Sequence, residues 1–245
     1  NLIDQFPSVS YFKKYSDSFL QPESTAEYWI KEQENINRDK KLRFFKTHNA
    51  LCKINNFSFT DNKNTIAAIH IVRDPRNVVT SLSNHYQINK NEAFDFMKNE
   101  KKALIEKKNN RFLGFVPLFS WKFHQESWSE CKKFPVLTIR YEDLQADTFK
   151  TFNIILNFLR DNTKVNIDIN SDKINQVIKS CEFEKLQKLE KNGGFKEALV
   201  SKKTNEKIKF FNLGKENDFR ILLDKKMINE MTEFYKDQIE KYKYE

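Results

Sequence analysis

The sequence predicts an α/β fold of three layers, a central parallel sheet flanked by helices on both faces, and two observations point to it. Residues 65 to 73 (TIAAIHIVR) and 134 to 141 (FPVLTIRY) are short, nearly unbroken apolar runs rich in Ile and Val, the pattern of strands buried on both faces. Segments with helical spacing precede, separate and follow them, and strands alternating with helices build a parallel sheet.

Taken in order, residues 24 to 37 open on Ser24 and Thr25 followed by acidic residues, a helix start. Residues 41 to 46 form a short β-like run that ends at Thr47-His48. After the strand over 65 to 73, Asp74 supplies an N-cap and Pro75 a proline at the first helical position, while Val78, Val79, Leu82 and Tyr86 recur at helical spacing. This is a strand-turn-helix unit. Residues 92 to 108 and 117 to 132 are expected to be helical, with Trp121 and Trp128 on one face as core anchors. Beyond the strand over 134 to 141, helices are expected over 147 to 160, capped by Asp147, over 171 to 190, and from Asp224 onward.

The chain of 245 residues has the length of one domain, taken as residues 1 to 245, and its 4 Gly and 5 Pro leave no linker to divide it. Aromatic residues make up 14%, with 23 Phe, which gives a chain that is 31% charged enough bulky material for a core. A net charge of +9 suits an anionic partner, or else describes a solvated lysine-rich surface. The three cysteines are widely spaced, with no CxxC and no His neighbour, so neither a disulfide framework nor a zinc site is indicated, and a reducing, cytoplasmic setting is expected. No apolar run approaches the ~18 residues of a membrane span.

Parallel sheets bind ligands at the carboxyl ends of their strands. That rule selects His48, Arg73 and Tyr141. Arg73 ends a strand and Ser81 lies about two turns into the next helix, so with the backbone N–H groups near Asp74 they are suited to a phosphate dianion. The competing reading is a capped helix with a surface ion pair. Lys46 and His48, two positions apart, are suited to neutralising a leaving oxygen and to taking a proton from an attacking hydroxyl. His70 within the strand, and His85 and His124 on helices, are expected to serve packing.

In order and spacing these elements resemble the sulfotransferase family that uses 3′-phosphoadenosine 5′-phosphosulfate (PAPS), from about residue 41 to the C-terminus. Lys46-Thr47-His48 matches the strand end that carries the family's base, His48, and its cation at the bridging oxygen, Lys46. Arg73 and Ser81 match the pair that holds the 3′-phosphate. Tyr141-Glu142-Asp143-Leu144 matches the element whose Tyr lies near adenine, and Cys181-Glu182-Phe183 resembles a Thr-Ser-Phe element whose Phe stacks on it. Asn212-Leu213-Gly214-Lys215-Glu216-Asn217-Asp218-Phe219-Arg220 resembles the C-terminal Arg-Lys-Gly-x-x-Gly-Asp-Trp-Lys signature at Gly214, Asp218 and Phe219-Arg220, but without its leading Arg-Lys pair; Lys207, Lys209 and Lys215 are the available cations.

The resemblance implies a P-loop-kinase-like fold and a sulfotransferase that transfers a sulfuryl group from PAPS to a hydroxyl or amine and releases 3′,5′-ADP. The acceptor is expected to be a small molecule or carbohydrate, with no metal, no nucleic acid and no membrane segment involved. The family's loop of the type Pro-Lys-Ser-Gly-Thr-Thr-Trp, which wraps the 5′-phosphosulfate, has no counterpart in the sequence and is expected upstream of Asn1, the alternative being a degenerate protein that lost it. Two alternatives remain: a non-catalytic module that binds a nucleotide or polyanion, and a nucleotide kinase-like phosphotransferase, for which GxxxxGK[ST] is not seen.

Overall fold

The computed structural model describes residues 3–108, 111–193, 195, 198–201 and 204–244. Along the first part of the chain run β1 (Asp4–Gln5), α1 (Val9–Phe12), α2 (Trp29–Ile36), β2 (Phe45–Lys46), β3 (Lys53–Ile54) and β4 (Phe57–Ser58). The middle holds β5 (Ala68–Val72), α3 (Pro75–Tyr86), α4 (Lys90–Lys98), β6 (Ala103–Lys108), β7 (Arg111–Pro117), α5 (Trp121–Ser129) and β8 (Val136–Arg140). Helices dominate the remainder: α6 (Tyr141–Ala146), α7 (Thr148–Thr163), α8 (Ser171–Ser180), α9 (Phe183–Gly193), α10 (Phe219–Leu222), α11 (Lys225–Phe234) and α12 (Lys236–Tyr242).

The strands pair two by two: β1 with β2 in parallel, β3 with β4 and β6 with β7 antiparallel, and β5 with β8. The two apolar runs singled out in the sequence are thus strand neighbours. Asp74 caps α3 as expected, its carboxylate accepting the Arg76 N–H at 2.8 Å with Pro75 in the first turn. Asp147 likewise accepts the Lys150 N–H at 2.9 Å at the start of α7.

The helix expected over 92 to 108 stops at Lys98, and residues 103 to 108 are a strand instead. Asn99 makes the turn, its side-chain oxygen accepting the Lys101 N–H at 2.8 Å and its carbonyl the Lys102 N–H at 3.2 Å. The β-formers Ile105, Phe112, Phe115 and Val116 then favour the hairpin β6–β7. Pro117 ends β7, so the expected helix over 117 to 132 starts only at Trp121, where the Ser120 hydroxyl accepts the Phe123 N–H. The single helix expected over 171 to 190 is two, α8 and α9, because the Cys181 N–H closes on the Ile178 and Val177 carbonyls and ends the first.

The chain forms two compact units, the first comprising Asn1–His70, Lys98–Thr138 and Phe158–Val165, the second Ile71–Met97, Ile139–Asn157 and Asn166–Glu245. The first has an aromatic core of Phe6, Phe12, Phe19, Trp29, Phe59, Phe115, Trp128 and Phe134. Trp29 is fully buried and meets the Phe59 ring edge-on with centroids 5.4 Å apart, so much of the phenylalanine surplus is core material. In the second unit Val72, Val79, Phe94, Phe219, Leu223, Met227, Met231, Tyr235 and Ile239 are buried, and helical spacing along α11 accounts for its two methionines facing inward.

Candidate functional site

In the first unit, β2 ends on Lys46, whose carbonyl accepts the Phe6 N–H at 3.0 Å, and the chain turns where the Thr47 hydroxyl accepts the Asn49 N–H at 3.0 Å. The residues after the turn are pinned. Asn49 is buried, its carbonyl accepts the Trp128 indole N–H at 3.0 Å, and the Leu51 N–H donates to the Ser127 hydroxyl at 3.0 Å. His48 is therefore an exposed side chain on a fixed backbone, with Lys46 half-buried two positions before it.

Two further histidines belong to this unit. His70, buried in β5, bonds the Gln125 side-chain oxygen through Nε2 at 2.6 Å and the Thr138 hydroxyl through Nδ1 at 3.4 Å. His124 donates from Nδ1 to the Leu118 carbonyl at 3.1 Å, which leaves Nε2 as the acceptor of a neutral ring. Burial pushes its pKa down to about 4, and the proximity of His70 and His48 acts in the same direction.

In the second unit, Arg73 stands where β5 ends, with its guanidinium 4.4 Å over the ring of Tyr141, the first residue of α6. Its Nε is buried and has no hydrogen-bond partner, and burial pushes its pKa down while the nearby Tyr141, Glu142, Asp74 and Tyr244 support the cation. The ion pair at this turn belongs to Arg76 instead, which grips Asp74 at 2.7 Å and lies 4.0 Å over the Phe219 ring. Both side chains are 5% exposed, so the pair is buried where a surface pair had been the alternative.

The backbone donors of the turn are engaged within the protein. The Asp74 N–H donates to Glu142 Oε1 at 3.0 Å, the Arg76 N–H to the Asp74 carboxylate, and the Asn77 and Val78 N–H groups to the Asp74 carbonyl at 2.9 Å each. An anion here would be met by side chains, Arg73 and the exposed Ser81 on α3, in place of the free amides expected from the sequence.

The C-terminal signature folds onto the same helix. Asn77 accepts the Phe219 N–H at 2.8 Å through its side chain and the Asn217 Nδ2–H at 3.0 Å through its carbonyl, and the Thr80 hydroxyl bonds the Asn217 side-chain oxygen. Gly214, at φ +56°, lies under the Phe183 ring so closely that an added Cβ would be 2.7 Å from it. Glu190 and Gln187 of α9 hold the stretch of chain before Gly214, the first by accepting the Phe210 and Phe211 N–H groups at 2.7 and 3.0 Å, the second by donating to the Phe211 carbonyl at 2.8 Å. Phe183 and Gly214 are thus brought together, while Cys181 is an exposed thiol ending α8. Lys207, Lys209 and Lys215 are not brought to Arg73 by any bond of their own; the Lys209 carbonyl accepts from Asn84, one turn beyond Ser81, at 3.2 Å.

Sequence reasoning missed Glu142, Asn77, Asn217 and Tyr244. Glu142 was visible beside Tyr141, but nothing local says that its carboxylate reaches back to Asp74; the Asn77–Asn217 pairing spans 140 positions and leaves no periodic trace. Among the described residues no group of three or more His, Cys, Asp or Glu is placed to hold a metal ion, and no helix is long and apolar enough to cross a membrane.

No curated protein matches the sequence. Among solved structures the chain is similar to mouse sulfotransferase SULT7A1 complexed with PAP, at 19% identity and a TM-score of 0.55, over 84% of this chain and 70% of that one. At that identity the likeness shows the fold, and the expected α/β architecture holds. A family model described as sulfotransferase domain matches residues 3–243, nearly the whole sequence. With the fold and the family model in agreement, the chain belongs to the sulfotransferase domain family.

Proposed function

We propose that residues 1 to 245 act as one sulfotransferase domain that uses PAPS to sulfate a hydroxyl or amine on a small-molecule or carbohydrate acceptor. The observation that carries this reading is Arg73: a half-buried side chain at a strand end, its guanidinium stacked on Tyr141, with a buried Nε–H that no protein group takes. An unpaired buried donor of that kind fits a phosphate dianion, and the similar solved structure holds PAP.

In this reading Arg73 and Ser81 hold the 3′-phosphate, Tyr141 and Phe183 flank the adenine, and Gly214 with Cys181 line its edge. Stacking on an aromatic face contributes ~1–3 kcal/mol per base. When bound, the cofactor supplies the sulfuryl group and departs as 3′,5′-ADP. Lys46 neutralises charge at the departing phosphate oxygen and His48 takes the acceptor proton, so that catalysis rests on positioning and charge stabilisation by side chains and needs no metal. The three free cysteines accord with a reducing, cytoplasmic setting.

The purified protein should be stabilised against heat by 3′,5′-ADP far more than by 5′-AMP at equal concentration, through binding to the folded state. Equal shifts would remove the 3′-phosphate assignment. His48→Ala should retain that stabilisation and lose sulfuryl transfer; transfer at the wild-type rate would take His48 out of the chemistry.

A further inference from the structure

Three residues in a row after His48 are tied through their main chain to one neighbouring stretch of the fold. The Asn49 carbonyl accepts the Trp128 indole N–H at 3.0 Å, the Ala50 N–H donates to the Pro117 carbonyl at 2.9 Å, and the Leu51 N–H donates to the Ser127 hydroxyl at 3.0 Å. Pro117 ends β7, and Ser127 and Trp128 are consecutive residues in the last turn of α5. Before His48 the Lys46 carbonyl accepts the Phe6 N–H, and across it the Thr47 hydroxyl accepts the Asn49 N–H, both at 3.0 Å.

Packing alone does not account for the two side chains of α5. A phenylalanine in place of Trp128 would fill the aromatic core, where the indole lies edge-on to Phe59 with centroids 6.3 Å apart, without a polar group to satisfy. The indole N–H adds a bond aimed at Asn49. Ser127 uses its hydroxyl twice, accepting from Leu51 and donating to the His124 carbonyl one turn back at 2.7 Å. The second bond sets the direction of the first, because a hydroxyl that donates into its own helix keeps its lone pairs for Leu51. Asn49 and Ala50 are fully buried, whereas His48 is exposed.

An exposed side chain takes its place chiefly from the main chain that carries it, and a general base must stand within hydrogen-bond reach of the proton it removes. A misplacement of ~1 Å can cost ~10²-fold in rate.

We propose that Ser127 and Trp128 are positioning residues for His48. They hold the main chain at Leu51 and Asn49, so that the imidazole stands at a fixed point beyond the end of β2. The inference rests on the reading of His48 as the base, and adds to it two residues that act through the main chain and not on the reactants.

The test is the backbone N–H order parameter of His48, from NMR relaxation of protein labelled at histidine with the NMR-active nitrogen isotope. The sequence has 4 histidines, so the spectrum holds four amide signals, and His48→Ala identifies the one in question. His70, His85 and His124 are internal references, the last of them on α5 itself. The wild-type His48 amide should have an order parameter of ~0.85, that of a rigid backbone, and in the double variant Ser127→Ala, Trp128→Phe it should fall below ~0.6, that of a mobile one, while the references hold. Ser127→Ala alone, which leaves the aromatic core intact, should fall part of the way, and Ser127→Thr, which keeps a hydroxyl, should retain the wild-type value. A His48 value unchanged in both Ser127→Ala and the double variant overturns the positioning role. So does a fall shared by all four histidines, the mark of a general loosening. The readout needs neither cofactor nor acceptor, so its failure is distinct from failure of the base reading. Sulfuryl transfer at the wild-type rate by His48→Ala would overturn that reading, and the positioning role with it, even where the order parameters fall as stated.

Discussion

His124 joins a local hydrogen bond to a pH response. Its ring donates to the Leu118 carbonyl and is driven neutral by burial, with a pKa of about 4 against an ordinary 6.5. Between those values the unfolded chain binds a proton that the folded chain refuses. The stability His124 contributes is therefore complete above pH 6.5 and declines as pH falls toward 4, by about 2 kcal/mol at pH 4.5. His124→Asn keeps a side-chain donor but cannot titrate. Urea unfolding at pH 7 and pH 4.5 should show a loss about 2 kcal/mol smaller in the variant than in the wild type; equal losses would refute the neutral, buried imidazole. In the sequence this residue was only a histidine on a helix face. Its helix was legible from Trp121 and Trp128, but its titration depends on burial and on the Leu118 carbonyl, His70 and His48, which lie 6, 54 and 76 positions away.

At the scale of elements, the start of α3 was the most legible part of the chain and Gly214 among the least. Asp74, Pro75 and the apolar spacing after them act within a few residues, and the structure contains that cap. The partners of the same helix, Asn217 and Phe219, arrive from a segment with no regular period, so only the resemblance indicated them. Gly214 is required there for two reasons, its left-handed backbone and the Phe183 ring 2.7 Å from any added Cβ. Gly214→Ala should cost about 2–4 kcal/mol in chemical denaturation, and about half of that in a Phe183→Ala background, where only the backbone strain remains. An equal cost in both backgrounds would show that the ring does not crowd the glycine. The strand β6 was misread as helix because the turn at Asn99 and the alternation after it are short signals beside a run of helix-forming Lys and Glu.

For the whole molecule, the 23 Phe indicated aromatic core material, and apolar runs alternating with helical segments indicated the α/β fold, since both follow from residue chemistry and period. The two compact units meet at breaks inside β5, α4, β8 and α7 and just after α7, places where the sequence marks no linker. The net charge of +9 admitted any polyanion and gains meaning only at Arg73, the cation of the Arg-Asp-Pro-Arg turn whose buried nitrogen is left for a ligand while Arg76 is consumed by Asp74. The measurement that reaches this claim most directly is the affinity of the wild type and of Arg73→Ala for 3′,5′-ADP and 5′-AMP by calorimetry. Arg73→Ala should weaken 3′,5′-ADP by about tenfold or more and 5′-AMP hardly at all. An Arg73→Ala protein that prefers 3′,5′-ADP as strongly as the wild type does would contradict the assignment of Arg73 to the 3′-phosphate.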